Sequence, residues 1–257
     1  MDIFDAVFLG IIQGLTEFLP ISSSGHLVIF QKLLGFQQQQ LLFDCALHVG
    51  TLLAVVIYFS KDIKRIFKSV LSKKENTDSF LLKDIITGSI PTAIIGFLFK
   101  DYFERAFSSA LIAGIMLCVT GLFVGATKFI PEGSKKRVGL IRSVLIGIAQ
   151  GIAIIPGISR SGATIVCGLM CKIDRELAFK FSFLLSIPAI SGAFILEAVK
   201  INQIENVIPL SLGTISSAIV GLIALRFLNN LIKKGNLYYF SPYCFAIGIS
   251  TIVYCLL

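Results

Sequence analysis

The chain has 257 residues, of which 55% are apolar and 15% are charged, and its mean hydropathy is +0.87. Soluble domains carry about a quarter of their residues as charged side chains. The composition therefore excludes an ordinary water-soluble domain and indicates a protein whose main solvent is lipid. The net charge of +8 suggests an acidic partner, and the positions of the basic residues indicate what that partner is.

The apolar residues are gathered into long runs. A helix needs about 20 largely apolar residues to cross the hydrocarbon core of a bilayer. The runs are continuous and lack the alternation that is typical of barrel strands, so they indicate an all-α polytopic membrane protein. We predict six transmembrane helices, at about 41–59, 81–99, 107–129, 177–197, 207–228 and 239–257.

Two further apolar stretches are interrupted before they reach spanning length. Residues 3–20 and 139–156 each end in a polar, glycine-rich loop, and a short helix follows each loop. Irregular backbone survives at membrane depth only where it is buried in protein or lines a wet cavity. We therefore predict two re-entrant helical hairpins, over residues 3–36 and 139–171, in addition to the six spanning helices.

The two hairpin segments resemble each other at a constant offset of 137 residues. Each is followed by three predicted spanning helices, so the chain divides into repeat 1 at about 1–130 and repeat 2 at about 138–257. Because three crossings is an odd number, we expect the second repeat to lie upside down, as in an inverted-topology repeat. The matching pairs include Gly10 with Gly147, Gln13 with Gln150, Gly14 with Gly151, Ile21 with Ile158, Ser22 with Ser159, Ser24 with Ser161 and Gly25 with Gly162.

This topology places loops 60–80, 128–142, 172–176 and 229–238 on one side. They carry fifteen of the 23 Lys and Arg residues, whereas the opposite side carries four. By the positive-inside rule, the basic side faces the cytoplasm and both termini face outward. The excess charge then reflects topology and contact with anionic lipid head groups, and we expect no nucleic-acid partner. Eight full spans would keep the same sidedness, so charge does not separate the two arrangements.

Ionisable residues at membrane depth are functional by default because burying them is costly. Glu17 lies near the end of the first apolar stretch, four residues after Gln13 and on the same helix face. Arg160 lies in the second hairpin loop. If the hairpins meet, Glu17 and Arg160 either share a reaction site or form a structural salt bridge.

The first hairpin loop carries three hydroxyls, Ser22, Ser23 and Ser24, and His26 follows two residues later. Hydroxyls at this position cap exposed helix amides, and a helix start favours an anion. A hydroxyl beside an imidazole is also the usual arrangement for activating a weak nucleophile or protonating a leaving oxygen. We therefore predict Glu17, Ser23 and His26 as catalytic groups, with a structural histidine as the alternative.

The second hairpin loop has the composition of a phosphate-binding site. Ser159 and Ser161 flank Arg160, and Thr164 follows one helical turn later. A planar guanidinium fork matches phosphate oxygens, and hydroxyls and helix amides add further donors. We predict that this loop, with Ser22 and Ser24 of the first loop, binds phosphate and that Arg160 also acts in catalysis.

Two more polar residues lie on the first predicted spanning helix. Asp44 and His48 are four residues apart and therefore share a helix face. They are either secondary groups that face the predicted site or residues that lie near the outer interface.

Two strings carry a resemblance to a known family. Gln13-Gly14-Leu15-Thr16-Glu17-Phe18-Leu19-Pro20-Ile21-Ser22-Ser23-Ser24-Gly25-His26 and Pro156-Gly157-Ile158-Ser159-Arg160-Ser161-Gly162-Ala163-Thr164 resemble the two signature segments of bacterial undecaprenyl pyrophosphate phosphatase, also called the bacitracin resistance protein. The match covers the whole chain in length and helix order. Two long signatures at this separation are a specific signal.

The resemblance implies hydrolysis of undecaprenyl diphosphate to undecaprenyl phosphate and inorganic phosphate, which recycles the lipid carrier for peptidoglycan and other envelope polymers. It implies a divalent cation, magnesium or calcium, at an acidic motif that corresponds to Gln13 and Glu17. It also places Ser23 and His26 in the catalytic segment, and Ser159, Arg160 and Thr164 in the phosphate-binding segment. Many members have a glutamate where this chain has Gln13, so one carboxylate fewer is offered to a metal.

The expected location is the bacterial cytoplasmic membrane, with the active site opening to the outer face, and a homodimer is compatible with this interpretation. A secondary transporter or lipid flippase is the main alternative, because inverted repeats with meeting hairpins are also a transport architecture. A membrane phosphatase with a nucleophilic histidine is the third interpretation. That class pairs a second, downstream histidine with an acid, and no histidine follows His48.

Overall fold

The computed structural model describes residues 2–36, 41–71, 76–198 and 207–257, and its regular elements there are helices. Short 3-10 turns lie at Thr127–Phe129 and Leu237–Phe240. In chain order the α-helices are α1 Ile3–Phe18, α2 Ser23–Leu33, α3 Leu41–Tyr58, α4 Ser60–Leu71, α5 Thr77–Leu98, α6 Lys100–Phe107, α7 Ala110–Ala126, α8 Leu140–Ile152, α9 Arg160–Met170, α10 Arg175–Ala198, α11 Val207–Lys233 and α12 Ser241–Leu256.

The predicted spans correspond to helices of the structure. Five helices, α5, α7, α10, α11 and α12, are long and apolar enough to cross a membrane, counting α7 and α12 with their 3-10 turns. The remaining predicted span, at 41–59, corresponds to α3. This helix meets the criterion only together with α4, and the two are bent by 72° at their junction. The prediction of an all-α polytopic membrane protein is confirmed.

Two connections between predicted spans are helical. Within 60–80 the structure has α4, and within 100–106 it has α6. Helix α4 is amphipathic, with Ile66 buried, Phe67 exposed to the surroundings of the bundle and Lys64 and Lys68 exposed on another side. Its apolar residues recur every three to four positions, and the many lysines between them make this spacing hard to recognise in the sequence. The connector Gln37 to Gln40 and the basic residues Lys73, Lys74 and Lys200 lie outside the described residues.

Both predicted hairpins are present as helix, loop and helix. Helix α1 has 16 residues and α8 has 13, fewer than the roughly 20 needed for a crossing. Each second helix begins at a serine cap. The side chain of Ser22 accepts a hydrogen bond from the Gly25 amide, and that of Ser159 accepts one from the Gly162 amide. The repeated serine therefore has a local cause, because it caps the exposed amides of a helix that starts inside the bundle.

The hairpins pack reciprocally, since α1 lies against α11 and α8 lies against α5. Matching glycines allow both approaches. A Cβ atom on Gly10 would lie 2.4 Å from the Gly213 carbonyl oxygen, and one on Gly147 would lie 2.0 Å from the Gly88 carbonyl oxygen. Such reciprocity is expected of two related halves. The repeat boundaries and the inverted orientation of the second half remain predictions.

The four basic loops meet at one end of the bundle. A short parallel bridge pairs Lys135 with Ile173. Four ion pairs join the loops and the helix starts beside them: Lys136 with Asp174 at 2.7 Å, Lys180 with Asp62 at 2.8 Å, Lys233 with Glu176 at 3.2 Å and Arg175 with Glu132 at 3.5 Å. The predicted grouping of these loops is thus observed, independently of which side of the membrane they face.

An aromatic cluster holds α1, α3 and α10 together beneath the hairpin loops. Phe18 and Phe183 are fully buried, and their rings lie edge to face at 5.5 Å. Phe59 and Phe179 complete the cluster around Phe183. Edge-to-face aromatic pairs favour fixed ring positions. Phe18 therefore fixes the end of α1, where Glu17 lies.

Asp174 caps α10 at the basic end. Its carboxylate accepts hydrogen bonds from the amides of Glu176 and Leu177, at 3.2 and 3.3 Å, and from Lys136. Burial alone would raise its pKa, but the hydrogen bonds from Lys136 and the Leu177 amide outweigh burial and lower the pKa below 3.8. The charged form is therefore the stabilising form, and its contribution is present above pH 3.8 and lost as the pH falls through the lowered pKa.

We expect Asp174→Ala to lower the free energy of unfolding by about 1 kcal/mol at pH 7, because it removes a helix cap. Thermal melting in detergent measures this change. The matched control Lys136→Ala removes the ion pair but leaves the cap, so it should cost less. A melting temperature for Asp174→Ala equal to that of the wild type at pH 7 would contradict the assigned role.

Candidate active site

The two hairpin loops are joined by one serine hydroxyl. The Ser22 Oγ atom accepts hydrogen bonds from the amides of Gly25 in its own loop, at 3.3 Å, and of Gly157 in the other loop, at 3.1 Å. Ser22 has a positive φ of 66°, a conformation that costs energy for any residue with a Cβ atom. Gly157 has φ 95°, and a Cβ atom there would lie 2.3 Å from the Ala113 carbonyl oxygen. The junction therefore tolerates glycine alone at position 157.

Helix α7 and the end of α1 hold the second loop from two sides. The Thr120 hydroxyl donates to the Gly157 carbonyl oxygen at 2.7 Å and accepts from the Ser159 amide at 3.1 Å. The Ser161 hydroxyl donates to the Leu19 carbonyl oxygen at 3.2 Å. Side chains thus pair backbone groups of Leu19, Gly157 and Ser159 inside the bundle, as burial requires.

Glu17 and Arg160 meet across this junction. The Arg160 Nη2 atom donates to Glu17 Oε1 at 2.5 Å, between residues that are 143 positions apart. The Glu17 side chain is 5% exposed and that of Arg160 is 15% exposed. The sequence analysis left a shared reaction site and a structural salt bridge as alternatives. The ion pair is present, and Glu17 has further polar contacts besides it; a shared reaction site stays a prediction.

The second carboxylate oxygen of Glu17 has three polar neighbours. Ser23 donates its hydroxyl to Glu17 Oε2 at 2.5 Å, and Gln13 donates its side-chain amide to the same atom at 3.0 Å. The Nε2 atom of His48 lies 3.5 Å from it. A carboxylate 2.5 Å from a hydroxyl is placed to accept the proton of that hydroxyl.

His26 has other partners. Its Nδ1 atom lies 2.7 Å from the Ser22 carbonyl oxygen, and its Nε2 atom lies 2.8 Å from the hydroxyl of Tyr243 on α12. The pairing of Ser23 with His26, which their proximity in the chain suggested, is not the pairing in the structure, where Ser23 bonds to Glu17. The sequence analysis did not single out Tyr243, because it lies 217 residues from His26 and outside both signature strings.

Asp44 and His48 lie on the site side of α3. The Nδ1 atom of His48 donates to the Asp44 carbonyl oxygen at 2.8 Å, which turns Nε2 toward Glu17. The Asp44 carboxylate accepts from the Gln31 side chain at 2.6 Å. His48 is therefore a direct neighbour of Glu17, whereas Asp44 reaches the site only through His48.

The remaining hydroxyls of the predicted phosphate-binding set are engaged in the loops. Ser24 lies 3.3 Å from the Ser22 hydroxyl, and the hydroxyls of Ser159 and Ser161 lie 3.2 Å apart. The Thr164 hydroxyl pairs with Ser182 of α10 at 2.5 Å, away from Glu17. In this arrangement these groups support the loops, and their binding to phosphate remains a prediction.

Two buried polar atoms at the site have no hydrogen-bond partner within the part of the chain that the structure describes. They are Arg160 Nη1, a donor, and Gln13 Oε1, an acceptor. Buried polar atoms are normally paired, so unpaired ones mark places for a ligand, ion or water. A free guanidinium donor and a free amide oxygen suit a phosphate group and a cation or water beside it.

Comparisons with known proteins give this chain full-length relatives. Three relatives named undecaprenyl-diphosphatase come from Desulforapulum autotrophicum, Halothermothrix orenii and Alkaliphilus metalliredigens. They are 44%, 45% and 42% identical to this chain, and the alignments cover 98%, 98% and 100% of both partners. A family model described as bacitracin resistance protein BacA matches residues 6–250. By this match and these identities, the chain belongs to the bacitracin resistance protein BacA family.

Proposed function

We propose that this chain hydrolyses undecaprenyl diphosphate to undecaprenyl phosphate and inorganic phosphate, as the names of its relatives indicate for them. The reaction returns the lipid carrier to the synthesis of peptidoglycan and other envelope polymers, with bacitracin resistance as a result. One observation carries the proposal. The hydroxyl of Ser23, the carboxylate of Glu17 and the guanidinium of Arg160 form a continuous hydrogen-bonded set inside an apolar bundle.

The first step is attack by Ser23 on the terminal phosphorus. The Ser23 hydroxyl proton passes to Glu17 Oε2, a new bond forms between Ser23 Oγ and phosphorus, and the bond from phosphorus to the bridging oxygen breaks. Undecaprenyl phosphate leaves, and water then hydrolyses the phosphoserine to release inorganic phosphate. Direct attack by water, with Ser23 positioning the phosphate, is the alternative route.

Arg160 supplies the positive charge that a diphosphate requires in an apolar site. Its Nη1 atom is free to donate to a phosphate oxygen while Nη2 remains on Glu17. Helices α2 and α9 both begin at the site, at Ser23 and Arg160, and helix starts favour anions. Fixed donors in a low-dielectric site stabilise charge that develops in the transition state.

His26 exchanges a proton with the reacting groups through Nε2. A carbonyl oxygen only accepts hydrogen bonds, so the Nδ1 atom beside the Ser22 carbonyl oxygen carries the proton. The lone pair is then on Nε2, which exchanges a proton with the attacking water or, once charged, with a leaving oxygen through the Tyr243 hydroxyl bonded to it. Glu17 acts as the base toward Ser23, and His26 acts in a later step.

The divalent cation, magnesium or calcium, is also a proposal. The described part of the chain holds no cluster of three or more His, Cys, Asp or Glu side chains for a metal. The residues that fit are Glu17 and the unpaired Gln13 Oε1 atom. Magnesium is commonly bound by one or two carboxylates together with substrate phosphates. When bound, the cation would neutralise phosphate charge.

We propose that the protein lies in the bacterial cytoplasmic membrane with its basic end inside, both termini outside and the active site opening to the outer face. The ion-paired basic loops and α4 support this orientation. Lys61, Lys64 and Lys68 are exposed on one side of α4, beside the exposed apolar Phe67 and Leu71. Such a helix suits the membrane interface, with lysines at anionic head groups. A homodimer is compatible with this placement.

We expect Ser23→Ala and Arg160→Ala each to lower the rate of phosphate release from undecaprenyl diphosphate by at least about 100-fold, because each removes a group from the reacting set. The measurement uses purified, folded protein. Ser89→Ala is the matched control, since the Ser89 hydroxyl bonds only to the Ile85 carbonyl oxygen of its own helix. Near-normal turnover by either site variant would remove its assigned role.

Chelation should abolish phosphate release, and added magnesium or calcium should restore it. The variant Gln13→Glu adds a carboxylate beside Glu17, so it should lower the cation concentration that gives half-maximal activity by about tenfold. Titration of activity with cation for both proteins measures this shift. Full activity in the presence of chelator would contradict the cation proposal and leave hydrolysis by Ser23 in place.

Reporter fusions test the orientation. Alkaline phosphatase is active only outside the cytoplasm, so we expect activity when it follows Leu257 and none when it follows Lys136 in the basic end. A fluorescent protein that folds in the cytoplasm serves as the reciprocal reporter at both positions. The reverse pattern would invert the proposed orientation.

A further inference from the structure

Tyr243 on α12 contacts His26 in two ways. Its hydroxyl lies 2.8 Å from the Nε2 atom of His26. The two rings are almost parallel, with an angle of 4° between their planes and 5.7 Å between their centroids. In the described residues this is the one hydrogen bond of the Tyr243 hydroxyl, and it ends on a predicted catalytic side chain.

The direction of that hydrogen bond follows from the other side of the ring. Because Nδ1 donates to the Ser22 carbonyl oxygen, the neutral imidazole has its lone pair on Nε2. The Tyr243 hydroxyl therefore donates to Nε2. The carbonyl oxygen selects the tautomer, because it can only accept, and the carbonyl oxygen and the phenol together fix the ring orientation.

Packing alone does not explain a tyrosine at position 243. Phe30 covers His26 as well, at 6.3 Å, so the imidazole is enclosed by aromatic rings and is 1% exposed. A phenylalanine at 243 would provide the same stacking. Tyr243 is 41% exposed on its other side. Its hydroxyl lies against His26, and the exposed surface needs no polar group at this position.

We propose that Tyr243 is a positioning residue for diphosphate hydrolysis. Its hydroxyl fixes the orientation of the His26 ring and lies on the proton path to Nε2, while the Ser22 carbonyl oxygen fixes the tautomer. This inference rests on the proposed function and deepens it, because it identifies the group that orients His26. Tyr243 has no contact with Glu17 or Arg160 in the described residues, so it affects the chemical step and not the binding of the diphosphate.

The test is Tyr243→Phe in the purified full-length protein, with undecaprenyl diphosphate as substrate. We expect kcat to fall about tenfold, the scale of one oriented hydrogen bond, and KM to stay within about twofold. Tyr254→Phe is the matched control, because it makes the same change on the same helix beside Lys32, where the ring is the contact. It should leave both constants unchanged.

A double-variant cycle separates action through His26 from a general structural effect. In a His26→Ala protein, the added Tyr243→Phe change should produce no further loss of kcat. A loss of stability would add to the loss from His26→Ala, so the cycle decides even if Tyr243→Phe melts at a lower temperature. Unchanged kcat in the single variant, additive losses in the double variant, or a change confined to KM would each overturn the proposal.

Failure of this inference differs from failure of the proposed function. If the wild-type protein releases no phosphate from undecaprenyl diphosphate under any cation, the proposed function fails. If the wild type is active and the Tyr243→Phe protein is equally active, only the role of Tyr243 fails.

Discussion

The Glu17–Arg160 ion pair places two opposite charges inside an apolar bundle. Removing two charges from water costs several kcal/mol per ion, and attraction alone compensates for this only when geometry is good and the remaining polar atoms are paired. The chain meets these conditions for the Glu17 carboxylate with hydroxyls and small residues, whereas Arg160 Nη1 has no partner in the described residues. Ser23 and Gln13 bond to the carboxylate, Ser22 and Thr120 satisfy the loop backbones, and the glycines of α1 and α8 let neighbouring helices approach closely enough to exclude lipid.

All four polar partners of Glu17, namely Arg160, Ser23, Gln13 and His48, could be singled out from the sequence, whereas the atoms that pair could not. Glu17, Ser23 and Arg160 lie in strings whose composition is unusual for apolar segments, so the sequence indicates them directly. The contact of Ser23 with Glu17, in place of His26, depends on the turn that Ser22 makes with a positive φ, and no sequence pattern encodes the direction of a side chain after such a turn. Tyr243 could not be found at all, because one tyrosine on an apolar helix resembles any membrane-facing aromatic residue. Helix α4 could have been predicted, since its apolar residues recur at helical spacing among the lysines.

The site combines an incomplete hydrogen-bond set with a rigid support. Arg160 Nη1 and Gln13 Oε1 are unpaired in the described residues, whereas both carboxylate oxygens of Glu17 are paired. Preorganised catalysis of phosphoryl transfer requires unpaired donors and acceptors that are already held in position, because the site then reorganises little during the reaction. A transporter would need the charges for binding, but it has no use for a serine hydroxyl at 2.5 Å from a carboxylate. The close contact between Ser23 and Glu17 therefore favours hydrolysis over transport.

The serine that joins the two loops also limits how the halves of the molecule can move. Ser22 bonds to Gly157, Ser161 bonds to Leu19, and Glu17 bonds to Arg160, so three connections cross from one hairpin to the other at the centre of the bundle. Rocking one half against the other, the motion by which many inverted-repeat carriers alternate access, would break all three together. Access of the lipid head group to this site therefore requires a route that leaves the three connections in place.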